Sequence, residues 1–175
     1  MNKIEERLLA LVTSIALMVP INAYAQDSFV PCRRFGHLQD CIAVPLAEKA
    51  EDTKAKQFQA PVAAKSRIYI VRPYLQEQKK KSNLLIDGQA ITEIAPMTYV
   101  VLDVKPGVHR ITLNTHDNTE LQLDLEAGKV YYIQYKLTVW FETVTGHLTL
   151  LDEKKGKSQV LESKRVRSTN EILAK

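Results

Sequence analysis

The stretch that decides the fold runs from Leu84 to Leu137 and reads LLIDGQAITEIAPMTYVVLDVKPGVHRITLNTHDNTELQLDLEAGKVYYIQYKL. Apolar side chains alternate with polar ones along it, and Gly88, Gly107 and Gly128 separate the alternating runs. Alternation with a period of two is typical of strands that bury one face, and glycine is typical of the turns between them. The stretch therefore predicts a series of strands joined by short turns.

The sharpest turn in this stretch is predicted at Asp87-Gly88. An Asp-Gly pair between two apolar runs favours a type I′ turn, which needs a positive φ at both central residues. We therefore predict a hairpin that pairs Leu84–Ile86 with Ala90–Ile94.

The longest predicted strand is Lys129–Phe141. One face is expected to lie in the core and consists of Tyr131, Ile133, Tyr135, Leu137, Val139 and Phe141. Each large apolar side chain that is fully buried contributes about 1.5–3 kcal/mol, so this face should be a main stabiliser of the fold. The other, less apolar face consists of Val130, Tyr132, Gln134, Lys136, Thr138 and Trp140.

Tyr132, Lys136 and Trp140 stand in a row on that second face and form the candidate binding face. Exposed aromatic rings bind glycans or partner proteins because they combine a large apolar surface with a polar group. The alternative is that a second sheet or an N-terminal helix covers the row.

Further strands are predicted on both sides of this stretch. Ser66–Pro73 (SRIYIVRP) should end at its proline, which cannot donate to a β-ladder, and His147–Leu151 should be the last strand. The turns between the seven or eight strands are too short for the crossovers that parallel strands need. The pattern predicts an all-β fold, a small antiparallel β-sandwich over residues 65–152.

Two less regular segments flank the predicted sandwich. In residues 26–64, Leu46, Ala50 and Phe58 are spaced to line one face of a short helix. Residues 153–175 form a charged, partly helical C-terminal tail that is expected to be solvated, with contact to an anionic surface as the alternative. Its basic residues are Lys154, Lys155, Lys157, Lys164, Arg165 and Arg167.

The first 25 residues have the features of a signal peptide. Lys3 and Arg7 precede an apolar run, Leu8–Ile21, and Ala23-Tyr24-Ala25 offers an A-x-A cleavage site. The run is shorter than the roughly 20 residues that a transmembrane helix needs. We therefore expect a periplasmic, envelope-associated or secreted bacterial protein with no transmembrane segment after cleavage.

Cys32 and Cys41 are the two cysteines of the chain. In an oxidising compartment such a close pair predicts a structural disulfide, which contributes on the order of 2–3 kcal/mol for a loop this short. A metal site would need more ligands than His37, the nearest histidine, provides. A redox pair would need a spacing of two residues.

A search of the sequence for catalytic and ligand-binding motifs predicts no enzyme. The chain contains no G-x-S-x-G motif, no phosphate-binding glycine cluster and no metal-ligand spacing among its four histidines, and His109 is expected to pack within its strand. We therefore assign no catalytic, cofactor or metal residues. The formal net charge is only +4, and the basic residues do not form the concentrated basic region that a nucleic-acid binder needs, so no nucleic-acid partner is predicted.

Five segments in this order resemble the bacterial Domain of Unknown Function family 2846 over about residues 64–160: AKSRIYIVRP, LLIDGQAITEI, YVVLDVKPGVHRITL, LDLEAGKVYYI and LTLLDEKKG. IDG and PGVHRITL also resemble PEGA-type surface-layer modules, which are small β-sandwiches. The resemblance implies an Ig-like or PEGA-like sandwich in the envelope and brings no catalytic residues.

The upstream CIAVPLAEKAEDTKAKQF resembles the segment that precedes this domain in lipid-anchored relatives, where the cysteine is acylated. Here Cys41 lies well past the A-x-A site, and Gln39 and Asp40 are poor lipobox residues. We therefore expect a protein that is not lipidated, with lipidation of Cys41 as the alternative to its disulfide.

Together these features predict a non-enzymatic exported module that binds another envelope protein, as an accessory subunit of an envelope or secretion assembly. The first alternative is a glycan or peptidoglycan binder that uses the row of Tyr132, Lys136 and Trp140. The second is a hydrolase that joins His109 or His147 to two carboxylates from distant parts of the chain.

Overall fold

Two facing β-sheets form the body of the protein, and two short helices pack on the outer face of the larger sheet. The computed structural model describes residues 28–34, 37–77, 79–115, 118–141 and 143–169. Within these residues the elements are β1 (Ser28–Arg34), β2 (His37–Val44), α1 (Lys49–Ala55), β3 (Ser66–Arg72), β4 (Ser82–Ile86), β5 (Gln89–Ile94), β6 (Thr98–Val104), β7 (Gly107–Asn114), β8 (Asn118–Leu125), β9 (Val130–Trp140), β10 (Thr143–Leu151), α2 (Glu153–Leu161) and β11 (Lys164–Arg165).

The larger sheet has the strand order β10-β9-β3-β6-β11 and the smaller one has the order β5-β4-β7-β8. The two-sheet, mostly β architecture agrees with the prediction from sequence. The expectation that every pair is antiparallel is wrong, because β3 pairs with β9 and β6 with β11 in parallel. Between β3 and β9 the chain forms all four strands of the smaller sheet and also β6, which lies next to β3 in the larger sheet. This stretch is the long connection that two parallel strands require.

The hairpin turn predicted at Asp87-Gly88 is confirmed. Asp87 has a φ of 52° and Gly88 a φ of 81°, the two positive values of a type I′ turn. The turn joins β4 to β5.

The main core lies between the two sheets and includes the predicted face of β9. Ile133, Tyr135 and Leu137 are buried there. The hydroxyl of Tyr135 lies within hydrogen-bonding distance of the hydroxyls of Ser82 and Thr115, so the one polar atom of this ring has partners. Because a tyrosine brings a hydroxyl into the core, these partners offset the cost of removing it from water.

A second, smaller cluster lies between the larger sheet and the helices. It consists of the buried residues Tyr69, Val71, Tyr99, Tyr132 and Val160. The hydroxyl of Tyr69 donates to the carbonyl oxygen of Ala55 and that of Tyr99 donates to Asp52 Oδ1, both at 2.8 Å. These bonds fasten α1 to the sheet.

The helix α2 packs on β9 so closely that its Gly156 has no room for a side chain. A Cβ atom at this position would overlap the ring of Tyr132. Val160, one turn further along, is fully buried. This helix therefore belongs to the second cluster.

The expectation of a solvated C-terminal tail from residue 153 is wrong for the residues that the structure describes. After α2, β11 pairs with β6, and Val166 reaches the main core. Arg167 is buried, and its carbonyl oxygen accepts a hydrogen bond from Thr92 of β5. Residues 164–169 therefore connect the edges of the two sheets.

The N-terminal segment contains a hairpin, β1–β2, that sequence patterns did not predict. Val30 and Val44 of this hairpin are buried in the main core. The backbone register pairs Cys32 with Gln39. The side chains of Cys32 and Cys41 lie outside the described residues, so the disulfide stays a prediction.

The short helix α1 differs from the expected helix in what it buries. Ala50 is exposed, and no residue of α1 is fully buried. Leu46 and Phe58, which were expected to share its apolar face, lie outside the helix and pack against the main core and the second cluster respectively. Hydrogen bonds from Tyr69 and Tyr99, and one from the backbone N–H of Arg165 to Asp52, hold the helix in place.

Candidate functional site

The most exposed large apolar side chains of the described residues lie at the end of the β9–β10 hairpin. Trp140 is 77% exposed and Phe141 is 88% exposed. Their rings meet edge to face, with centroids 5.4 Å apart and an interplanar angle of 89°. We call Val139, Trp140 and Phe141 the hairpin tip.

The backbone of Phe141 adopts a conformation that bulky residues avoid. Its φ is +53°, in the left-handed region. Trp140 pairs with Thr143, so Phe141 lies in the short connection between β9 and β10. Strain of this kind costs on the order of 1–3 kcal/mol and concentrates at functional sites.

This turn corrects two sequence-based predictions. The last strand was expected to span His147–Leu151, but it is longer: β10 begins at Thr143 and pairs with β9 from that residue onward. The assignment of Val139 and Phe141 to the core is also wrong, because both side chains are exposed at the end of the β9–β10 hairpin. Phe141 is the binding candidate that the alternation pattern missed.

The predicted binding face of Tyr132, Lys136 and Trp140 is divided by the fold. Tyr132 is only 3% exposed and stacks on Tyr69, with centroids 5.2 Å apart and an interplanar angle of 14°. Burial of the phenol raises the pKa of Tyr132 above its usual range. Since α2 covers this ring, Tyr132 is not available to a ligand.

Lys136 lies at the margin of the covered region. Its Nζ is 5.8 Å from the centroid of the Tyr74 ring, and the Tyr74 hydroxyl accepts a hydrogen bond of 3.0 Å from Gln134 Nε2. Lys136 thus faces the loop after β3. Of the two aromatic residues in the predicted face, Trp140 presents its ring to solvent and Tyr132 does not.

A charged cleft of about 490 Å³ lies beside α1. One of its cations, Arg67, donates two hydrogen bonds of 2.7 Å to the carboxylate of Asp103 and a third, of 2.8 Å, to the carbonyl oxygen of Gln59. The bond to Asp103 is the main reason that the pKa of Arg67 is raised. Because these groups satisfy one another, the pair acts as a cross-strand brace.

His109 is also used within the fold. Its Nδ1 lies 2.7 Å from Asp87 Oδ2 and its Nε2 lies 2.8 Å from the carbonyl oxygen of Lys105. Asp87 Oδ1 accepts a 2.8 Å bond from the backbone N–H of Arg110, and this bond is the largest cause of the lowered pKa of Asp87. The expected packing of His109 within its strand thus takes the form of a brace between β7 and the β4–β5 turn.

The two histidines named in the hydrolase alternative have defined contacts within the described residues. His147 Nε2 contacts the hydroxyl of Thr138 at 3.0 Å, and His109 is held by one carboxylate. No group of three or more His, Cys, Asp and Glu side chains in the described ranges is arranged to hold a metal ion. In the same ranges, no helix combines the length and apolar character needed to span a bilayer.

The fold and its surface define a small, mostly β protein of sandwich-like architecture, with helices on one sheet and an aromatic hairpin tip. The chain belongs to the family described as "Protein of unknown function (DUF2846)", which it matches over residues 62–164. The resemblance noted in the sequence is thereby confirmed. The matched region includes the hairpin tip and excludes β1 and β2.

A relative from Haemophilus influenzae, described as "Uncharacterized protein", is 31% identical over 124 residues. The similarity covers 70% of this chain and 74% of the relative. No solved structure matches the chain significantly.

Proposed function

We propose that this protein is an exported, non-enzymatic module of the bacterial envelope that binds another envelope protein through the hairpin tip. In this role it is an accessory subunit of a larger envelope or secretion assembly. The observation that carries the proposal is the exposure of Trp140 and Phe141 side by side at the end of a hairpin. Clustered exposed apolar side chains of this kind mark interaction sites.

A protein partner suits the chemistry of the hairpin tip. Tryptophan is among the residues that contribute most to protein interfaces, because binding removes the large apolar surface of its ring from contact with water. The segment Leu137–Gly146 carries one ionisable side chain, Glu142, so little charge has to be desolvated.

Glycan binding by the row of Tyr132, Lys136 and Trp140 has less support. A sugar needs adjacent accessible rings and polar groups, and Tyr132 lies beneath α2. Trp140 on its own offers one stacking surface, next to the apolar ring of Phe141. The exposed pair therefore favours an apolar protein surface as the partner.

The envelope location rests on the leader sequence and the cysteine pair. We propose that cleavage after Ala25 releases the mature chain and that Cys32 and Cys41 form a disulfide in an oxidising compartment. We also propose that the sandwich is of the Ig-like or PEGA-like type, which the resemblance of IDG and PGVHRITL supports.

Site-specific photocrosslinking in living cells tests the partner proposal. Phe141 is replaced by a photoreactive phenylalanine derivative, and the matched control carries the same group at Val108, which is 60% exposed on the other sheet. We expect one adduct of discrete mass at position 141 that is absent at position 108. Failure to form an adduct at 141, or the same adducts at both positions, would contradict the proposal.

Mass spectrometry of the protein isolated from cell fractions tests the envelope location. We expect a mature chain that begins at Gln26, is found in the envelope or periplasm, and reacts with a thiol reagent only after reduction. A chain that begins at Cys41 and carries acyl groups would show lipidation in place of the disulfide. A chain that retains its leader in the cytoplasm would contradict the location.

A further inference from the structure

One edge of the larger sheet lacks the features that normally keep an edge strand from pairing with other strands. β10 forms this edge, and within the described residues it pairs only with β9. An edge strand presents a row of backbone N–H and C=O groups, so proteins protect their edges with charges, proline, bulges or a covering segment. β10 reads TVTGHLTLL and contains no proline and no Asp, Glu, Lys or Arg. It pairs with β9 along its whole length without a register shift, so it also has no bulge.

The other three edges of the two facing sheets are protected. The edge strand β8 carries Glu120 and Asp124. Residues 167–169 lie along the edge strand β5 and bind it through Thr92 and Ile91. The edge strand β11 is only two residues long, and a very short edge offers few groups to pair with. Of the edges that the structure describes in these sheets, β10 is therefore the long and unprotected one.

The smaller sheet supports β10 from behind and does not cover its edge. A Cβ atom at Gly146 would overlap the hydroxyl of Thr119 in β8, so the two strands lie close together here. Gly146 pairs with the buried residue Leu137, so this contact is on the core face of β10. Because β8 does not pair with β10, the outward backbone groups of β10 bind no other strand of the described residues.

The side chains of β10 suit pairing with a second copy of the same strand. A charged strand would repel its own copy, because pairing would bring the same few charges together. If two copies pair antiparallel about His147, the middle residue, Thr145 lies opposite Thr149 of the second copy. Threonine pairs of this kind stabilise neighbouring strands. On the other face, Leu150, which is 49% exposed, lies opposite Val144 of the second copy and gains an apolar neighbour.

We infer that the protein forms a two-fold symmetric dimer in which the β10 strands of two copies pair antiparallel. The larger sheets of the two copies then form one continuous sheet. A self-complementary two-fold interface is the commonest arrangement among soluble oligomers, and the uncharged β10 carries no group that would select a partner of opposite charge. The paired residues, Thr143–Leu151, do not include the hairpin tip, so this dimer and the proposed function can fail separately.

Sedimentation of the purified protein and of two double variants tests the dimer. Thr145 and Thr149 are exposed, so both variants should fold like the parent protein. Thr145→Lys combined with Thr149→Lys places lysine opposite lysine and should weaken association by about tenfold or more. Thr145→Lys combined with Thr149→Glu is the matched control. It places lysine opposite glutamate and should associate about as tightly as the parent.

We expect the parent and the control to sediment as dimers at micromolar concentration and the double-lysine variant to sediment as a monomer, with circular dichroism to show that all three are folded. The dimer is refuted if the parent is a monomer even at millimolar concentration, if the double-lysine variant associates as tightly as the parent, or if the control does not associate. A monomeric parent whose position 149, carrying a photoreactive residue, captures a different protein in cells would show that a foreign strand occupies the edge, and would also overturn the inference.

Discussion

Phe141 combines two properties that conflict in a residue with only a structural role. Its ring is the most exposed of the large apolar side chains described, and its backbone has a φ of +53°. A turn residue chosen for stability would be glycine or asparagine, which adopt positive φ readily. The conflict is resolved if the ring itself is needed at the hairpin tip.

Replacing Phe141 by asparagine should therefore raise stability and weaken partner binding. We expect Phe141→Asn to stabilise the fold by about 1 kcal/mol, because it relieves the strain of the turn. The control Phe141→Ala removes the ring but keeps a Cβ at positive φ, so it should lose the partner with no such gain. Thermal denaturation measures the change in stability. Affinity capture of the partner that photocrosslinking identifies measures the change in binding. A destabilised asparagine variant would contradict the strain argument.

Asp87 shows how one carboxylate can serve a turn and a strand at once. It occupies the first central position of the β4–β5 turn and binds the ring of His109 and the backbone N–H of Arg110. These contacts favour the ionised carboxylate and lower the pKa of Asp87 below its ordinary value of 3.8. The folded state therefore gains stability from the ionised form.

Asp87→Asn should destabilise the protein at neutral pH, and the effect should become smaller as the pH falls. Asparagine followed by glycine still favours the type I′ turn, so the substitution isolates the charge. A lowered pKa contributes stability above the pKa of the unfolded state and loses it as the pH falls through the folded value. Urea denaturation should show a smaller difference between the two proteins near pH 3 than at pH 7; an equal difference at both would contradict this reasoning.

At the scale of elements, the contact between α2 and β9 determines which aromatic rings are accessible. Gly156 allows the helix to lie directly on Tyr132, and this contact buries a ring that a strand pattern alone leaves on the polar face. Phe58 packs tilted on the same ring from the segment after α1, with centroids 6.2 Å apart. Trp140, eight residues further along β9, has no such cover.

Gly156→Ala should destabilise the protein although alanine favours helices. In an open helix the change would stabilise by about 1 kcal/mol, but here the new methyl group overlaps Tyr132. We expect a net loss of about 1–3 kcal/mol, typical of an overpacked contact. Ser158→Ala, at an exposed position of the same helix, is the control and should leave the melting temperature almost unchanged; a more stable Gly156→Ala variant would contradict the contact.

At the scale of the whole molecule, residues 164–169 connect the two sheets. The strand β11 extends the larger sheet beside β6, and the hydroxyl of Thr169 donates to the carbonyl oxygen of Ile91 in β5 of the smaller sheet. Residues 45–47 add backbone hydrogen bonds with Arg165 and Arg167. The N-terminal and C-terminal parts of the chain thus meet at this edge.

Deletion of residues 164–175 should prevent stable folding, whereas deletion of residues 170–175 should not. The longer deletion removes the pairing with β6, exposes the edge of the sheet and takes Val166 out of the main core. The shorter deletion keeps every contact named here. Circular dichroism and the melting temperature of the two truncated proteins measure the difference, and a longer deletion that melts like the parent would refute the role of this segment.

Some features could be predicted because they depend on neighbours in the sequence. Ile133, Tyr135 and Leu137 alternate with polar residues, and a strand places such residues on one face wherever it lies. Asp87-Gly88 specifies its turn through backbone preferences alone. Phe141 could not be predicted as exposed, because its pattern matches that of the core residues, and only the tertiary structure distinguishes it from them.

By itself, the sequence determined the β character of Ser66–Leu151, the type of the β4–β5 turn and the buried face of β9, all of which follow from local periodicity and backbone preference. Only the tertiary structure decided the parallel pairing of β3 with β9, the cover of Tyr132 by α2 and the exposure of Trp140 and Phe141 together. These outcomes depend on contacts between residues far apart in the chain. Such contacts leave no periodic signal in either partner.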